Sequence, residues 1–233
     1  MDEVAINWLK PSVNSLHTAV FGQSGSGKTF LIKNSVYSAV KDLDNFPSYH
    51  RFVVIDPKRQ KGDFDILSVP ITGDNIDEIA ESINENRVTV IWPDYRYISD
   101  VIDDTIEILF QLSDIYSADN RAFSATLIID EAGEVISHQK IPDSIGKMAV
   151  QGRAKMLKLV VLNQRPILNR KLDAQLENVI LFYQMGIDSD NLSKRWGINI
   201  DKWINKLETI QYSFVAYNHL KRTEKLYGPL KIT

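Results

Sequence analysis

The chain has 233 residues, of which 44% are hydrophobic and 24% charged, with a formal net charge of −3 and no cysteine. This length suits one α/β domain and is short for two, so we predict a single domain over residues 1–233 with its core from about 16 to 217. The absence of cysteine excludes disulfides and thiolate metal sites.

The first segment gives no sign of export or membrane insertion. Met1 to Val4 lacks the basic start and the apolar stretch of a signal peptide. No apolar run approaches the roughly 20 residues that cross a bilayer. We therefore expect no integral membrane segment and a cytoplasmic location.

The strongest signal lies between a short apolar strand and an amphipathic helix. His17 to Phe21 is predicted to be a buried strand, and apolar residues recur at helical spacing from Phe30 to Val40. Between them, Gly22–Thr29 matches the pattern G-x-x-x-x-G-K-[ST]. A strand, a glycine-rich turn and a helix start direct backbone N–H groups and the positive end of a helix dipole at one point, which suits polyphosphate.

This loop predicts a nucleotide site in which two side chains have defined tasks. The Lys28 ammonium can reach the β- and γ-phosphates, and the Thr29 hydroxyl can ligate Mg²⁺. The predicted nucleotide-binding residues are Gly22, Gln23, Ser24, Gly25, Ser26, Gly27, Lys28, Thr29 and Phe30.

The next elements alternate between strand and helix. Strands are predicted over 51–55 and 88–92, and helices over 75–86 and from 98 to 110. Asp56 follows the first of these strands directly and is interpreted either as a water-mediated contact to the metal or as a cap of the turn. The four histidines of the chain show no ligand spacing and are interpreted as structural.

A pair of carboxylates follows the fourth predicted strand, which runs from Ala125 to Ile129. Asp130 suits the acid that supports the Mg²⁺ between the β- and γ-phosphates. Glu131 can orient and deprotonate a water molecule for attack on the γ-phosphorus. Any strand can end in acidic turn residues, but together with Gly22–Thr29 this pair indicates nucleotide hydrolysis.

The following strand also ends in polar residues. A helix is predicted from about 144 to 157 and a strand over 159–162, which leads into Asn163-Gln164-Arg165-Pro166. The Gln164 amide is predicted to contact the γ-phosphate or the attacking water, and a plain polar turn is the alternative interpretation.

Two arginines compete for one catalytic role. A guanidinium from a neighbouring subunit can stabilise the charge that develops during phosphoryl transfer. Arg153 is the first candidate for this arginine finger and Arg165 is the second. A surface position without catalytic role is an equal alternative for Arg153.

The last third of the chain is basic, while its last two predicted strands, 179–183 and 212–217, are apolar. From Gln151 to Thr233 the net charge is +7, with fourteen Lys and Arg against seven Asp and Glu, and the remainder carries −10. Such asymmetry can present a positive face to DNA, although ordinary solvated charge explains it equally well. The candidate DNA contacts are Lys155, Lys158, Arg170, Lys171, Lys194, Arg195, Lys221 and Arg222.

Apolar strands separated by helices predict the fold class. They indicate an α/β fold with a mostly parallel sheet that is covered by helices on both faces. Ligands of such sheets bind at the carboxyl ends of the strands, which is where the polar residues above are predicted to lie.

Four segments in order support a family resemblance: Gly22–Thr29, Asp56-Pro57-Lys58, Ile128–Glu131, and Gly152-Arg153 followed by Asn163–Pro166. The series resembles the FtsK/HerA superfamily of DNA-pumping P-loop ATPases. It is most similar to the genome-packaging ATPases of double-stranded DNA viruses with an internal membrane.

The resemblance implies a RecA-like fold and a self-assembled ring, usually a hexamer, that hydrolyses ATP with Mg²⁺ at subunit interfaces and translocates double-stranded DNA. It further implies a capsid or portal vertex protein as partner, and the host cytoplasm and the virion as locations. By this resemblance Lys28 and Thr29 bind phosphate and Mg²⁺, Asp130 supports the metal, Glu131 is the base, Gln164 is the sensor and Arg153 is the finger.

Other functions fit the same loop. One is an ATPase of the same superfamily that pumps DNA in a cell or drives macromolecular assembly or secretion. A small-molecule kinase is a second alternative, against which Glu131 and the Asn163–Pro166 turn both count. The intact Asp130-Glu131 pair disfavours a binding module without turnover.

Overall fold

The computed structural model describes residues 8–11, 17–183, 188, 192, 194–199 and 201–230. Within these residues eight strands form one sheet in the order β3-β2-β4-β5-β1-β6-β7-β8. The strands are β1 His17–Phe21, β2 His50–Ile55, β3 Val88–Ile91, β4 Ser124–Ile129, β5 Leu157–Asn163, β6 Leu176–Leu181, β7 Phe214–Asn218 and β8 Thr223–Tyr227. The helices are α1 Lys28–Lys41, α2 Ile76–Glu85, α3 Ile98–Ala118, α4 Asp143–Gln151, α5 Arg170–Asp173 and α6 Asp201–Thr209.

The strands from β3 to β6 in this order are parallel, and β7 and β8 add an antiparallel edge. The carboxyl ends of β1, β2, β4 and β5 therefore meet at one edge of the sheet. Strand β5 lies between β4 and β1, since Val160 pairs with both Ile128 and Thr18. The predicted α/β fold with a mostly parallel sheet is confirmed.

Two apolar layers cover the sheet, one on each face. Successive residues of a strand point to opposite faces, so Val53 and Ile55 of β2 pack under α2, α3 and α4, while Phe52 and Val54 pack under α1. The inner strands are apolar on both faces because both faces are buried. The sheet is thereby held as a rigid platform whose polar edge is free for a ligand.

The chain between α4 and β5 differs from the sequence prediction. The predicted helix from 144 to 157 is wrong at its end, because α4 ends at Gln151 and a 3₁₀ turn, Gly152–Lys155, follows. Met156 then takes a left-handed conformation with φ of 57°, which a continuing helix excludes. Strand β5 consequently begins at Leu157, two positions before the predicted 159.

Two elements near the end of the chain were not predicted. Helix α6 has mostly exposed residues, and β8 is a half-exposed edge strand with the polar sequence TEKLY. Neither presents the continuous apolar run by which the inner strands were recognised. Among the described helices none is both long and apolar enough to cross a membrane.

Candidate functional site

The predicted phosphate loop lies at the carboxyl end of β1 and leads directly into α1. The Gly22 N–H donates to Asn163 O over 3.2 Å, which ties the loop to the end of β5. A Cβ at Gly22 would lie 2.4 Å from Ser26 Oγ and 2.7 Å from Phe182 Cβ, and Gly27 has a φ of 105°. These glycines allow the loop to fold closely in front of the helix N-terminus, an arrangement that binds anions.

Lys28 begins α1 and folds back over the loop. Its ammonium donates to Gly22 O at 2.6 Å and to Gln23 O at 3.0 Å, and the residue is buried. Burial lowers the pKa of Lys28, and the nearby Lys58 adds to this, whereas Glu131 and Asp130 oppose it. The structure thus places a buried cation beside the loop amides.

Two oxygen groups meet where the metal is predicted. Thr29 Oγ1 donates to Asp130 Oδ2 over 3.3 Å. Burial raises the pKa of Asp130, and the charge of Lys58 opposes this. No cluster of three or more His, Asp or Glu able to hold a metal occurs within the described ranges. Two protein oxygens beside a polyphosphate site fit Mg²⁺, which keeps water and phosphate oxygens as its other ligands.

Glu131 lies one residue beyond Asp130 in a left-handed conformation, with φ of 49° and ψ of 42°. Its carboxylate forms an ion pair with Lys58 and accepts the Gln164 amide at 3.2 and 3.4 Å. Burial pushes the pKa of Glu131 upward, but the hydrogen bonds from Lys58 and Gln164 outweigh this, so its pKa lies below the ordinary value. A charged carboxylate is therefore held between Lys58 and Gln164 at the end of β4.

Two residues without a predicted role build the turn beneath Glu131 and Gln164. Asn163 Oδ1 accepts the Gln164 N–H at 2.8 Å. Gly133 packs against this amide, since a Cβ there would lie 2.6 Å from Asn163 Oδ1. The polar ending of β5 was visible in the sequence. Only the contact with Gly133 identifies Asn163 as the residue that positions Glu131 and Gln164.

Asp56 caps the turn after β2, as one of its two interpretations stated. Its Oδ1 accepts the Lys58 N–H at 3.1 Å, and its Oδ2 accepts the Trp92 indole N–H at 3.2 Å. Burial, followed by the charge of Asp130, raises the pKa of Asp56 to about 6. This buried cap fixes the backbone position from which the Lys58 side chain extends. The sequence analysis assigned no role to Lys58.

The two arginine candidates lie at opposite ends of β5. Arg153 is exposed in the turn before the strand, and Arg165 follows the strand's end. Strand β5 has seven residues, which span about 20 Å, so Arg153 lies far from the phosphate loop of its own chain. Arg165 is near the loop, but its guanidinium is paired with Asp188 at 3.0 Å.

The predicted pool of DNA contacts contains one clear error. Lys158 lies inside β5 and is only 2% exposed, so it cannot reach DNA. Arg195 is half-buried and paired with Asp173, and Lys155 is paired with Asp114. The exposed members of the pool are Arg170, Lys171, Lys194, Lys221 and Arg222.

Two neighbouring cavities open beside the loop, and Tyr212 borders both. The larger has a volume of about 400 Å³ and is lined by Lys58 and by the predicted residues from Ser24 to Phe30. The smaller, about 210 Å³, is lined by Gln23 and by the aromatic side chains of Phe182 and Tyr183. Every predicted binding residue except Gly22 therefore lines one or both of these cavities.

Comparison with known proteins gives structural neighbours only. No family model matches the chain, and no curated protein matches it in sequence. The structure is similar to that of the genome packaging NTPase B204 from Sulfolobus turreted icosahedral virus 2 in complex with AMPPCP. The TM-score is 0.70 at 20% identity, and the match covers 93% of this chain and 98% of that chain.

Two further neighbours are more distant. VirB4 of Thermoanaerobacter pseudethanolicus matches with a TM-score of 0.62 at 10% identity, covering 92% of this chain and 89% of that one. The ATPases 2 and 3 of Thermomonospora curvata EccC match with a TM-score of 0.56 at 12% identity, covering 95% of this chain and 38% of that one. These likenesses show the fold, which is that of a P-loop NTPase.

Proposed function

We propose that the chain is an ATP-hydrolysing DNA translocase that packages a viral double-stranded genome into a preformed capsid. The observation that supports hydrolysis is the contact between the phosphate loop and the carboxylates that follow β4. Thr29 bonds to Asp130, and Lys58, which lines the larger cavity with Lys28 and Thr29, pairs with Glu131. Packaging is supported by the likeness to a genome packaging NTPase over 98% of that protein's length.

The nucleotide is proposed to span both cavities. Its phosphates occupy the larger cavity between the loop amides and Lys28, and its base end lies toward Phe182 and Tyr212, where aromatic faces can stack on it. Glu131 orients water in line with the γ-phosphorus and takes its proton, while the leaving diphosphate stays on the loop.

The site residues fit a divalent cation. Thr29 and Asp130 would hold Mg²⁺, which when bound neutralises the charge on the β- and γ-phosphates. The two side chains are already in contact through their oxygens, so neither needs a large movement to share a ligand. The proposed cofactors are therefore ATP and Mg²⁺.

A ring of identical subunits, usually a hexamer, is the proposed working form. In such a ring an arginine of one subunit can reach the nucleotide of the next, and the exposed Arg153 is the proposed finger. Double-stranded DNA and a capsid or portal vertex protein are the proposed partners, and the host cytoplasm and the virion are the proposed locations.

One alternative has an observation in its favour. The Type VII Secretion ATPase EccC shares the fold, so a secretion ATPase fits the same architecture. A small-molecule kinase is disfavoured because the Glu131 carboxylate, to which Gln164 donates a hydrogen bond, suits activation of water and a kinase does not need such a base. DNA dependence separates the two remaining functions.

The deciding experiment measures ATP hydrolysis by the full chain with and without double-stranded DNA, on protein whose mass is determined by light scattering. We expect an oligomer whose rate rises with DNA, and the stimulation should fall steeply with salt because phosphate contacts release counterions. Glu131→Gln should keep ATP binding and lose turnover. A monomer indifferent to DNA contradicts the packaging function, and an active Glu131→Gln removes Glu131 as base.

A further inference from the structure

Lys58 stands at the edge of the larger cavity, in the turn after β2. Its backbone N–H is fixed by Asp56, which is in turn held by the Trp92 indole. The side chain is 33% exposed and lines the cavity together with Lys28, Thr29 and other loop residues. A buried cap thus directs a lysine side chain into the site instead of along the surface.

The partner of this lysine is the residue proposed to activate water. Lys58 Nζ forms an ion pair with Glu131 Oε1, and Gln164 donates to both oxygens of the same carboxylate. In the proposed mechanism the attacking water lies between Glu131 and the γ-phosphorus. An ammonium that contacts Glu131 is therefore within side-chain reach of the γ-phosphate oxygens.

Lys28 is partly occupied by contacts within the loop, so a second cation is needed to bind the γ-phosphate. Two of its donors are used on the carbonyls of Gly22 and Gln23. Among the described residues, Lys28 and Lys58 are the lysines that line the larger cavity. A triphosphate differs from a diphosphate by the charge of its γ-phosphate, so a cation at that end discriminates between the two.

We propose that Lys58 is a second triphosphate-binding lysine, which leaves Glu131 for the γ-phosphate when a nucleoside triphosphate enters. The inference rests on the proposed ATPase function. The change exchanges one ion pair for another and frees the Glu131 carboxylate to accept a proton from water. A diphosphate has no γ-phosphate and leaves Lys58 on Glu131, so the base is released only when substrate is present.

The test compares the affinities of the full chain for ATPγS and ADP by isothermal titration calorimetry in Mg²⁺. Lys58→Met keeps the length of the side chain and removes its charge. We expect about tenfold weaker ATPγS binding with ADP binding nearly unchanged, the loss of one charge-assisted contact. Lys58→Arg should retain most of the discrimination.

Lys61→Met provides a matched control, because Lys61 is exposed in the same loop and does not line the cavity. Its ratio of ATPγS to ADP affinity should equal that of the unmodified chain. An equal loss for both nucleotides in Lys58→Met, or no loss, overturns the role of Lys58. Failure of the unmodified chain to bind either nucleotide instead overturns the proposed function.

A double-mutant cycle supplies an independent readout. Glu131→Gln removes the carboxylate that competes with the γ-phosphate for Lys58, so it should tighten ATPγS binding and not ADP binding. Most of this gain should vanish when Lys58→Met is also present. An equal gain in both backgrounds means that Glu131 acts only by repelling the γ-phosphate, and the exchange of partners is then wrong.

Discussion

Glu131 has a largely buried side chain and a backbone conformation that is costly for a residue other than glycine. A non-glycine residue in the left-handed region costs of order 1 kcal/mol, and Glu131 adopts it at the tip of β4. The turn is over-determined by the hydrogen bond from Glu131 N to Asp130 Oδ1 and by the packing of Gly133 on Asn163. The conformation brings the carboxylate to Gln164 at the end of the neighbouring strand β5.

Buried histidines make the stability of the fold depend on pH. His50 is bonded to Ser124 Oγ at 2.8 Å, and burial, with Arg87 and Arg51, lowers its pKa to about 3. Burial likewise lowers the pKa of His17 to about 4. As pH falls below 6.5 the unfolded chain binds protons that the folded chain refuses, so folding stability is lost on acidification.

We expect His50→Gln to be less stable than the unmodified chain at pH 7 and to approach it on acidification. Because the variant has no proton to gain at this position, the difference in unfolding free energy should shrink by about 2 kcal/mol at pH 5. Urea unfolding at pH 7, 6 and 5 measures it. Comparing the variant with the unmodified chain cancels the contributions of Asp56 and Asp173. Burial raises the pKa of both carboxyls to about 6, so their effect on stability has the opposite pH dependence to that of the histidine.

The exposed His219 provides the control for this measurement. His219→Gln should change the pH dependence much less than His50→Gln does. A free-energy difference for His50→Gln that stays constant from pH 7 to pH 5 would mean that the buried ring takes up its proton in the folded chain.

At the level of elements, the strand, loop and helix around the phosphate site form a local unit. Strand β1, Gly22–Thr29 and α1 follow one another without interruption. The glycine-rich pattern and the apolar periods on either side of it are local properties of the sequence, which predicts this unit well, although Asn163 and Phe182 also contact Gly22. The segment from α4 to β5 is different, because its turn is set by contacts with β5 itself.

In helix α4, the space around each glycine decides whether its replacement by alanine raises or lowers the unfolding free energy. Gly146 lies inside the helix, and a Cβ added there would meet no atom of another element within 4 Å. Gly146→Ala should therefore raise the unfolding free energy by about 1 kcal/mol, the helix-propensity difference. Urea or thermal unfolding measures the gain.

Gly152 at the end of the same helix is the matched control. A Cβ there would lie 3.0 Å from Leu157 O and 3.3 Å from Met148 Cγ. Gly152→Ala should give no gain or a loss, because the backbone carbonyl of β5 cannot move aside cheaply. Equal stabilisation by both substitutions would contradict the tight turn between α4 and β5.

Across the molecule as a whole, the order of the strands assembles the site. The loop after β1, the cap after β2, the carboxylates after β4 and the amides after β5 lie at one edge because these strands are parallel neighbours. The same order sends Arg153 to the other end of β5, away from its own loop. A finger at that position can act only on a neighbouring subunit.

Mixing two inactive variants tests this arrangement. Arg153→Ala keeps its own site and lacks the finger, whereas Glu131→Gln lacks the base and keeps the finger. If the finger acts in trans, equal mixing should restore roughly a quarter of the interfaces in a randomly assembled ring, measured as ATP hydrolysis after reassembly. Normal hydrolysis by assembled Arg153→Ala assigns the finger elsewhere, with Arg165 as the next variant.

The amino-acid sequence was enough to predict the α/β class, the inner strands and the identity of the polar residues that follow them. It was enough because the period of apolar residues and the chemistry of a glycine-rich loop are local properties. It placed Asp130, Glu131 and Gln164 directly after strands and Lys28 and Thr29 in the loop after β1, and the parallel order of the strands brings these segments together.

Only the folded chain determines which of these groups are in contact and which of the predicted site residues are unable to serve. The left-handed turn at Met156 and the polar edge strand β8 carry no apolar period that would predict them. The burial of Lys158 arises because β5 lies in the sheet between β4 and β1, which are distant from it in the chain. The pairing of Lys58 with Glu131 is of the same kind. Such contacts follow from packing in three dimensions, so no local pattern of residues contains them.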